Sequence, residues 1–187
     1  MTTTDQILAL AVRPTPTAEA DAGLARFAEA ADAGMNSHVV RALRTLRPAD
    51  DGPAWRAWLS ASAALAAPGG AASGGAAAGG AIPGGAMPGG AASAVGWLGP
   101  VVSAVIGAGL AAGLMLGLSD AQLRNAIGIC ATQAAGLRAA AGTDAAPLQA
   151  GKAAFNAVEA AQLAGLGFTS SREPLDGRRA LFPLFSS

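Results

Sequence analysis

The sequence has little charge, few aromatic residues and no tyrosine. Lys and Arg total 12 and Asp and Glu total 12 in 187 residues, so charged residues make up only 13% and the net charge is zero. The longest basic run is the pair Arg178-Arg179. The basic surface that nucleic-acid binding requires is therefore absent. Because hydrophobic residues make up 52%, a disordered chain is also excluded.

The chain contains one cysteine, Cys130, and one histidine, His38. An internal disulfide and a Cys/His zinc site are both excluded by this count, and we expect no metal and no cofactor. The residues after Met1 lack the basic start and the apolar run of a secretory signal, which predicts a cytoplasmic protein.

Residues 57–119 contain no charged residue and no histidine. Within them, residues 69–93 form five pentads that each begin with Gly-Gly and continue with Ala, Ser, Ile, Met or Pro. Such small side chains offer little burial to offset the entropy of ordering the backbone. We therefore divide the chain into an N-terminal helical segment (1–67), a low-complexity linker (68–94) and a C-terminal helical segment (95–187).

The spacing of apolar residues predicts an all-α fold, a small helical bundle interrupted by the Gly/Ala/Pro-rich linker. Gly117 is placed to end an apolar helix, and Ser119 and Gln122 have the form of a capping box for the next helix. The tail after residue 167 should be irregular. The predicted helices cover residues 18–33, about 36–46, a segment from about 50, 101–118, a segment from about 120, and about 147–163.

The apolar run at residues 95–118 permits a second interpretation. It is long enough to span a bilayer, and Gly109, Gly113 and Gly117 have the small-xxx-small spacing of packed membrane helices. However, Pro100 lies near one end and neither flank carries a Lys/Arg cluster. We favour a buried, closely packed helix and keep a membrane-associated helical protein as an alternative.

Several motifs follow one another in a specific order after the linker. They are Gly96-Trp97, then Leu-Met-Leu-Gly-Leu-Ser-Asp-Ala-Gln-Leu at 114–123, which includes the end of the apolar helix, then Asn-Ala-Ile-Gly-Ile-Cys-Ala-Thr-Gln at 125–133, and Gly-Thr-Asp-Ala-Ala-Pro-Leu-Gln-Ala-Gly-Lys at 142–152. This order resembles the MmgE/PrpD family, which includes 2-methylcitrate dehydratase and cis-aconitate decarboxylase. The resemblance implies a helical domain that forms homodimers, and elimination or decarboxylation of small di- and tricarboxylates without a metal.

The chain departs from the family pattern where the catalytic side chains are expected. A family histidine follows the Gly-aromatic pair, but this chain has Leu98 there. A family lysine and histidine in a Thr-Lys-x-Leu-His-x-Gly segment correspond to Ala146 and Gln149. Leucine and alanine cannot move a proton, and glutamine cannot do so near neutral pH. The family's aspartate-rich loop and its lid domain have no counterpart, so we expect a truncated and divergent member.

Five polar or reactive positions remain as candidates. His38 has no recognisable catalytic partner, and Cys130 lies among apolar residues, so we interpret both as structural. Thr143, Gln149 and Lys152 could form a vestigial substrate-binding site for an anion at the start of a helix. Against this, Thr143 or Asp144 could simply cap that helix. The remaining cations of the tail, at 172, 178 and 179, are interpreted as solvated surface.

Three functions follow from these observations. The first is a catalytically defective MmgE/PrpD-like protein that acts as a subunit or partner module, in a homo- or hetero-oligomer whose partner could be a full-length family member. The second is a lyase of altered mechanism on a small carboxylate. The third is the membrane-associated protein described above.

Overall fold

A computed structural model describes residues 2–12, 42, 43, 46 and 99–185. These residues contain four α-helices with described bounds and two short 3-10 helices, at Arg138–Ala140 and Phe182–Phe185, and residues 42, 43 and 46 are also helical. No strand occurs in these ranges, which confirms the predicted all-α class. The α-helices are α1 (Thr3–Val12), α2 (Gly99–Met115), α3 (Asp120–Gln133) and α4 (Ala145–Gly165).

Helix α2 ends at Met115, three residues before the predicted end at 118, and the stop that the sequence predicted is Gly117, a glycine in the left-handed region. Gly117 has φ of 70°, a conformation that side chains disfavour. The Leu118 N–H donates to the carbonyl of Gly113 and the Gly117 N–H to that of Leu114, each at 3.0 Å. These two bonds form a Schellman motif, which satisfies carbonyls that the helix end would leave unpaired.

The capping box predicted for α3 is present. The Ser119 hydroxyl accepts a hydrogen bond from the backbone N–H of Gln122, and the Gln122 side chain accepts one from the Ser119 N–H at 3.0 Å. The same glutamine also donates to the carbonyl of Gly165 at 3.4 Å, which joins the start of α3 to the end of α4. The predicted apolar face of α3 is buried: Leu123, Ile127 and Cys130.

Helices α2 and α3 approach closely at two glycines of α2. A Cβ atom added to Gly109 would lie 2.3 Å from the Cys130 sulfur, and one added to Gly113 would lie 2.5 Å from a methyl group of Leu123. Neither position has room for a methyl group beside its neighbour. The small-xxx-small spacing therefore serves packing between two helices of the same chain.

Helix α4 contributes a face made almost entirely of alanine. It begins two residues before the predicted start, because Pro147 can occupy the first turn, where no helical N–H bond is required. Its last residue is Gly165, and Gly167 (φ 94°) forms the turn that follows. The buried face consists of Ala150, Ala153, Ala154, Ala157, Ala160, Ala161 and Ala164, together with Asn156.

Helix α1 was not predicted, although its sequence carries a start signal. The Thr2 N–H donates to the carboxylate of Asp5 at 2.9 Å, and the Asp5 N–H donates to the Thr2 hydroxyl at 3.2 Å. Ile7 on this helix is fully buried in the shared core. The signal was a Thr-x-x-Asp capping pattern followed by apolar residues, which is a variant of the capping box.

Arg124 of α3 fastens α1 and the tail to the bundle. Its guanidinium contacts the Asp5 carboxylate at 2.5 Å and donates to the carbonyl of Arg172 at 3.4 Å. Hydrogen bonds from Arg124 and then Thr2 lower the pKa of Asp5 to about 2. An aspartate in an unfolded chain has a pKa of about 4, so this stabilisation is present above about pH 4 and is lost as the pH falls towards 2.

The tail after α4 is irregular, as predicted, but it is packed. A Cβ atom at Gly128 of α3 would lie 2.0 Å from the Ser170 hydroxyl. The tail can therefore pack against the helix only because this residue has no side chain. The Ser170 N–H donates to the Asn125 side chain at 3.1 Å. Leu175, Leu181 and Phe182 join the hydrophobic core.

Several sequence predictions lie outside the described residues. They are the helices at 18–33 and from about 50, the pentad linker at 69–93, His38 and Leu98. Of the helix predicted through Leu46, only Ala42, Leu43 and Leu46 are described; all three are helical, and Leu43 is fully buried. Among the helices that the structure describes, none is both long and apolar enough to cross a membrane.

The contact between Gly109 and Cys130 predicts a specific coupling between two substitutions. Gly109→Ala places a methyl group against the Cys130 sulfur and should lower the free energy of unfolding by about 1–3 kcal/mol. In a Cys130→Ala background, where the sulfur is absent, most of this loss should disappear. Urea unfolding of the four proteins of this double-mutant cycle measures the coupling.

Gly165→Ala provides a matched control, because only the flexible end of Leu118 lies near its added methyl group, at 3.3 Å. Its effect should be small. Additive effects of Gly109→Ala and Cys130→Ala would show that the two helices do not meet as described.

Candidate functional site

The predicted anion site lies where the loop after α3 meets the start of α4. The loop contains the 3-10 helix Arg138–Ala140 and a turn at Gly142, whose φ is 77°. Thr143 precedes α4, and Gln149 and Lys152 lie one turn apart on that helix. The structure thus places Thr143 and Gln149 beside the same loop, with Lys152 further along α4.

The side chain of Gln149 is hydrogen-bonded to the backbone of Leu137. Its amide oxygen accepts a hydrogen bond from the Leu137 N–H, and its amide nitrogen donates to the Leu137 carbonyl at 3.3 Å. The side-chain amide therefore makes one hydrogen bond to the N–H and one to the carbonyl of the same residue, Leu137. Sequence reasoning missed Leu137, because a contact across twelve residues has no local sequence signature.

The hydroxyl group of Thr143 both donates and accepts a hydrogen bond. The hydroxyl donates to the Ala140 carbonyl at 2.6 Å and accepts from the Ala145 N–H at 3.3 Å. Its own carbonyl accepts from the Ala146 N–H at 3.1 Å. Since Pro147 has no N–H, the first three residues of α4 have no free backbone donor for an anion. Asp144 occupies the N-cap position without a side-chain capping bond.

Lys152 is exposed, and its ammonium group lies 4.5 Å from the centre of the Phe155 ring. This is a cation–π contact between the positive charge of the lysine and the face of the aromatic ring. The contact directs the ammonium group along α4 towards a residue further from the helix start. An anion site built from Thr143, Gln149 and Lys152 stays a prediction, and Lys152 is its one cation.

The position that corresponds to the family lysine is Ala146, in the first turn of α4. Its side chain has no proton to exchange. Further along α4, Asn156 is buried and donates to the Gln133 carbonyl at 3.4 Å, which satisfies the end of α3. The side chains of Thr143, Gln149 and Asn156 thus each hydrogen-bond to backbone groups.

Cys130 is fully buried, and burial raises the pKa of its thiol to about 12. Such a thiol is protonated at neutral pH and is a poor nucleophile. Within the described ranges, no three His, Cys, Asp or Glu side chains lie close enough together to hold a metal ion.

A sequence profile of the MmgE/PrpD N-terminal domain matches residues 54–187, which is well over half of the chain. The chain belongs to the MmgE/PrpD family. The match begins upstream of the pentads, earlier than the resemblance seen in the motifs. In a comparison with curated proteins, none matches this MmgE/PrpD chain.

The Gln149–Leu137 pairing predicts how the loop responds to substitution. Gln149→Ala removes both hydrogen bonds and should lower the local stability of the loop by about 1–2 kcal/mol. Hydrogen exchange at the Leu137 amide should therefore become about 5- to 30-fold faster. Mass spectrometry of peptides covering residues 134–144 measures this change.

Gln162→Ala is the matched control, since this exposed glutamine lies on the same helix and, among the described residues, makes hydrogen bonds only through its backbone. Exchange at Leu137 should be unchanged in this variant. Equal exchange rates in native protein and Gln149→Ala would contradict the pairing.

Proposed function

We propose that this MmgE/PrpD protein is catalytically defective in the family reaction and acts as a subunit or partner module. The observation that carries the first half is the role of Gln149, at the position of a family histidine. Its side-chain amide is hydrogen-bonded to the Leu137 backbone, and glutamine has no group that can abstract a proton near neutral pH. The neighbouring catalytic position holds Ala146.

The chemistry of the family reaction supports this proposal. Abstracting a proton from carbon requires a base of suitable pKa beside the substrate, and the resulting charge requires cationic or hydrogen-bonding partners. Losing one such group commonly costs about a hundredfold in rate. Leu98, Ala146 and Gln149 replace three of them, so the combined loss should abolish turnover.

The second half of the proposal is supported by an exposed apolar surface on the outer side of α4. Leu148 is 68% exposed and Phe155 is 55% exposed, and they lie seven residues, or two turns, apart on the same side of the helix. Leu137, which Gln149 holds nearby, is 55% exposed. We call these three residues the α4 surface. Neighbouring exposed apolar side chains are typical of protein interfaces.

Two readouts on one preparation test the proposal. The purified chain should neither dehydrate 2-methylcitrate nor decarboxylate cis-aconitate above the buffer rate.

In sedimentation velocity it should form a dimer or larger oligomer, alone or with a co-expressed full-length family member. The variant Leu148→Gln/Phe155→Gln should lose this assembly, because amides remove the apolar contact. Leu166→Gln, a substitution at an exposed leucine outside the α4 surface, should retain it.

Turnover that is lost in Lys152→Met would instead favour the lyase of altered mechanism on a small carboxylate. That variant keeps the length of the side chain and removes its charge. A native chain that remains monomeric with and without the family member would contradict the role as a subunit.

A further inference from the structure

The packed tail and the second half of α3 line a half-open pocket of about 560 Å³. Its floor is apolar and includes Ala131, Pro174 and Leu181, all of which are buried. This volume lies within the range of about 300–1,000 Å³ that is usual for small-molecule sites. The pocket exists because Gly128 lets the tail lie directly against α3.

The rim of the pocket is polar and carries two adjacent arginines. Arg178 and Arg179 both line the pocket and are exposed, and neither has an ion pair or hydrogen bond in the part of the chain that the structure describes. Glu173 also lines the pocket. The three formal charges sum to one positive charge. The turn that carries the arginines is held by the Ala180 N–H, which donates to the Gly177 carbonyl at 2.8 Å.

We propose that this pocket binds a small organic carboxylate with a short apolar body. The guanidinium groups match a carboxylate in charge and in hydrogen-bond geometry. The apolar floor can make apolar contacts with an aliphatic chain. An inorganic anion has no such chain. A neutral molecule of the same shape would lack the charge attraction to the two guanidinium groups.

The pocket is separate from the candidate site at the start of α4. Thr143, Gln149 and Lys152 do not line it, and it is built from α3 and the tail. The inference therefore does not depend on whether the protein is catalytically defective. It also revises the interpretation of Arg178 and Arg179 as solvated surface without a further role.

Calorimetric titration of the full chain with hexanoate tests the inference. Hexanoate should bind saturably, hexanol of the same length should bind at least about tenfold more weakly, and inorganic phosphate should also bind more weakly. The double variant Arg178→Gln/Arg179→Gln should weaken hexanoate binding at least about tenfold. Arg172→Gln is the matched control, because Arg172 lies in the same tail but does not line the pocket. It should bind hexanoate like the native chain.

Glu173→Gln gives a prediction of opposite sign. Removing the one carboxylate at the rim should strengthen hexanoate binding several-fold, because it removes repulsion between like charges. All of these substitutions are at exposed positions, and circular dichroism verifies that each variant is folded. Absence of saturable hexanoate binding, unchanged binding in the double arginine variant, or equal binding of hexanol or phosphate would overturn the proposal.

Discussion

The close approach of α2 to α3 at Gly109 and Gly113 is the constraint on which the rest of this structure depends. Burying apolar surface stabilises a fold by about 25 cal/mol per Å², and an alanine side chain offers little surface to bury. A bundle built from alanine therefore needs its helices to lie close together, so that small side chains and backbone remain in contact. The two glycines provide that proximity, and the alanine face of α4 packs against the same helices.

The functional features follow from how the remaining segments attach to this core. Gln149 ties the loop after α3 to α4, Arg124 ties α1 and the tail to α3, and Gly128 admits the tail. The first attachment uses a side chain at a family catalytic position to hold backbone. The last attachment creates the pocket lined by Arg178 and Arg179. Ala146 and Gln149, at two family catalytic positions, do not line this pocket.

Local signals explain which parts of the fold could be predicted. The capping box at Ser119, the turn at Gly117 and the buried face of α3 depend on neighbours within one or two helical turns, and all three are confirmed. Helix α1 was missed although a Thr-x-x-Asp signal was present. The Gln149–Leu137 pairing and the arginine pocket join segments distant in sequence, so no spacing rule identifies them. The Gly109–Cys130 contact had a signal in the four-residue glycine spacing, but spacing alone does not identify the partner helix.

The accessibility of Cys130 tests the closely packed core most directly. It is the only cysteine in the chain, so a thiol reagent reports on this position alone. Because the sulfur is buried against Gly109, labelling by iodoacetamide at pH 8 should be at least about a thousandfold slower in the folded protein than in urea. The rate should rise with urea in parallel with global unfolding. Labelling of the folded protein at a rate close to that of the unfolded chain would contradict the account.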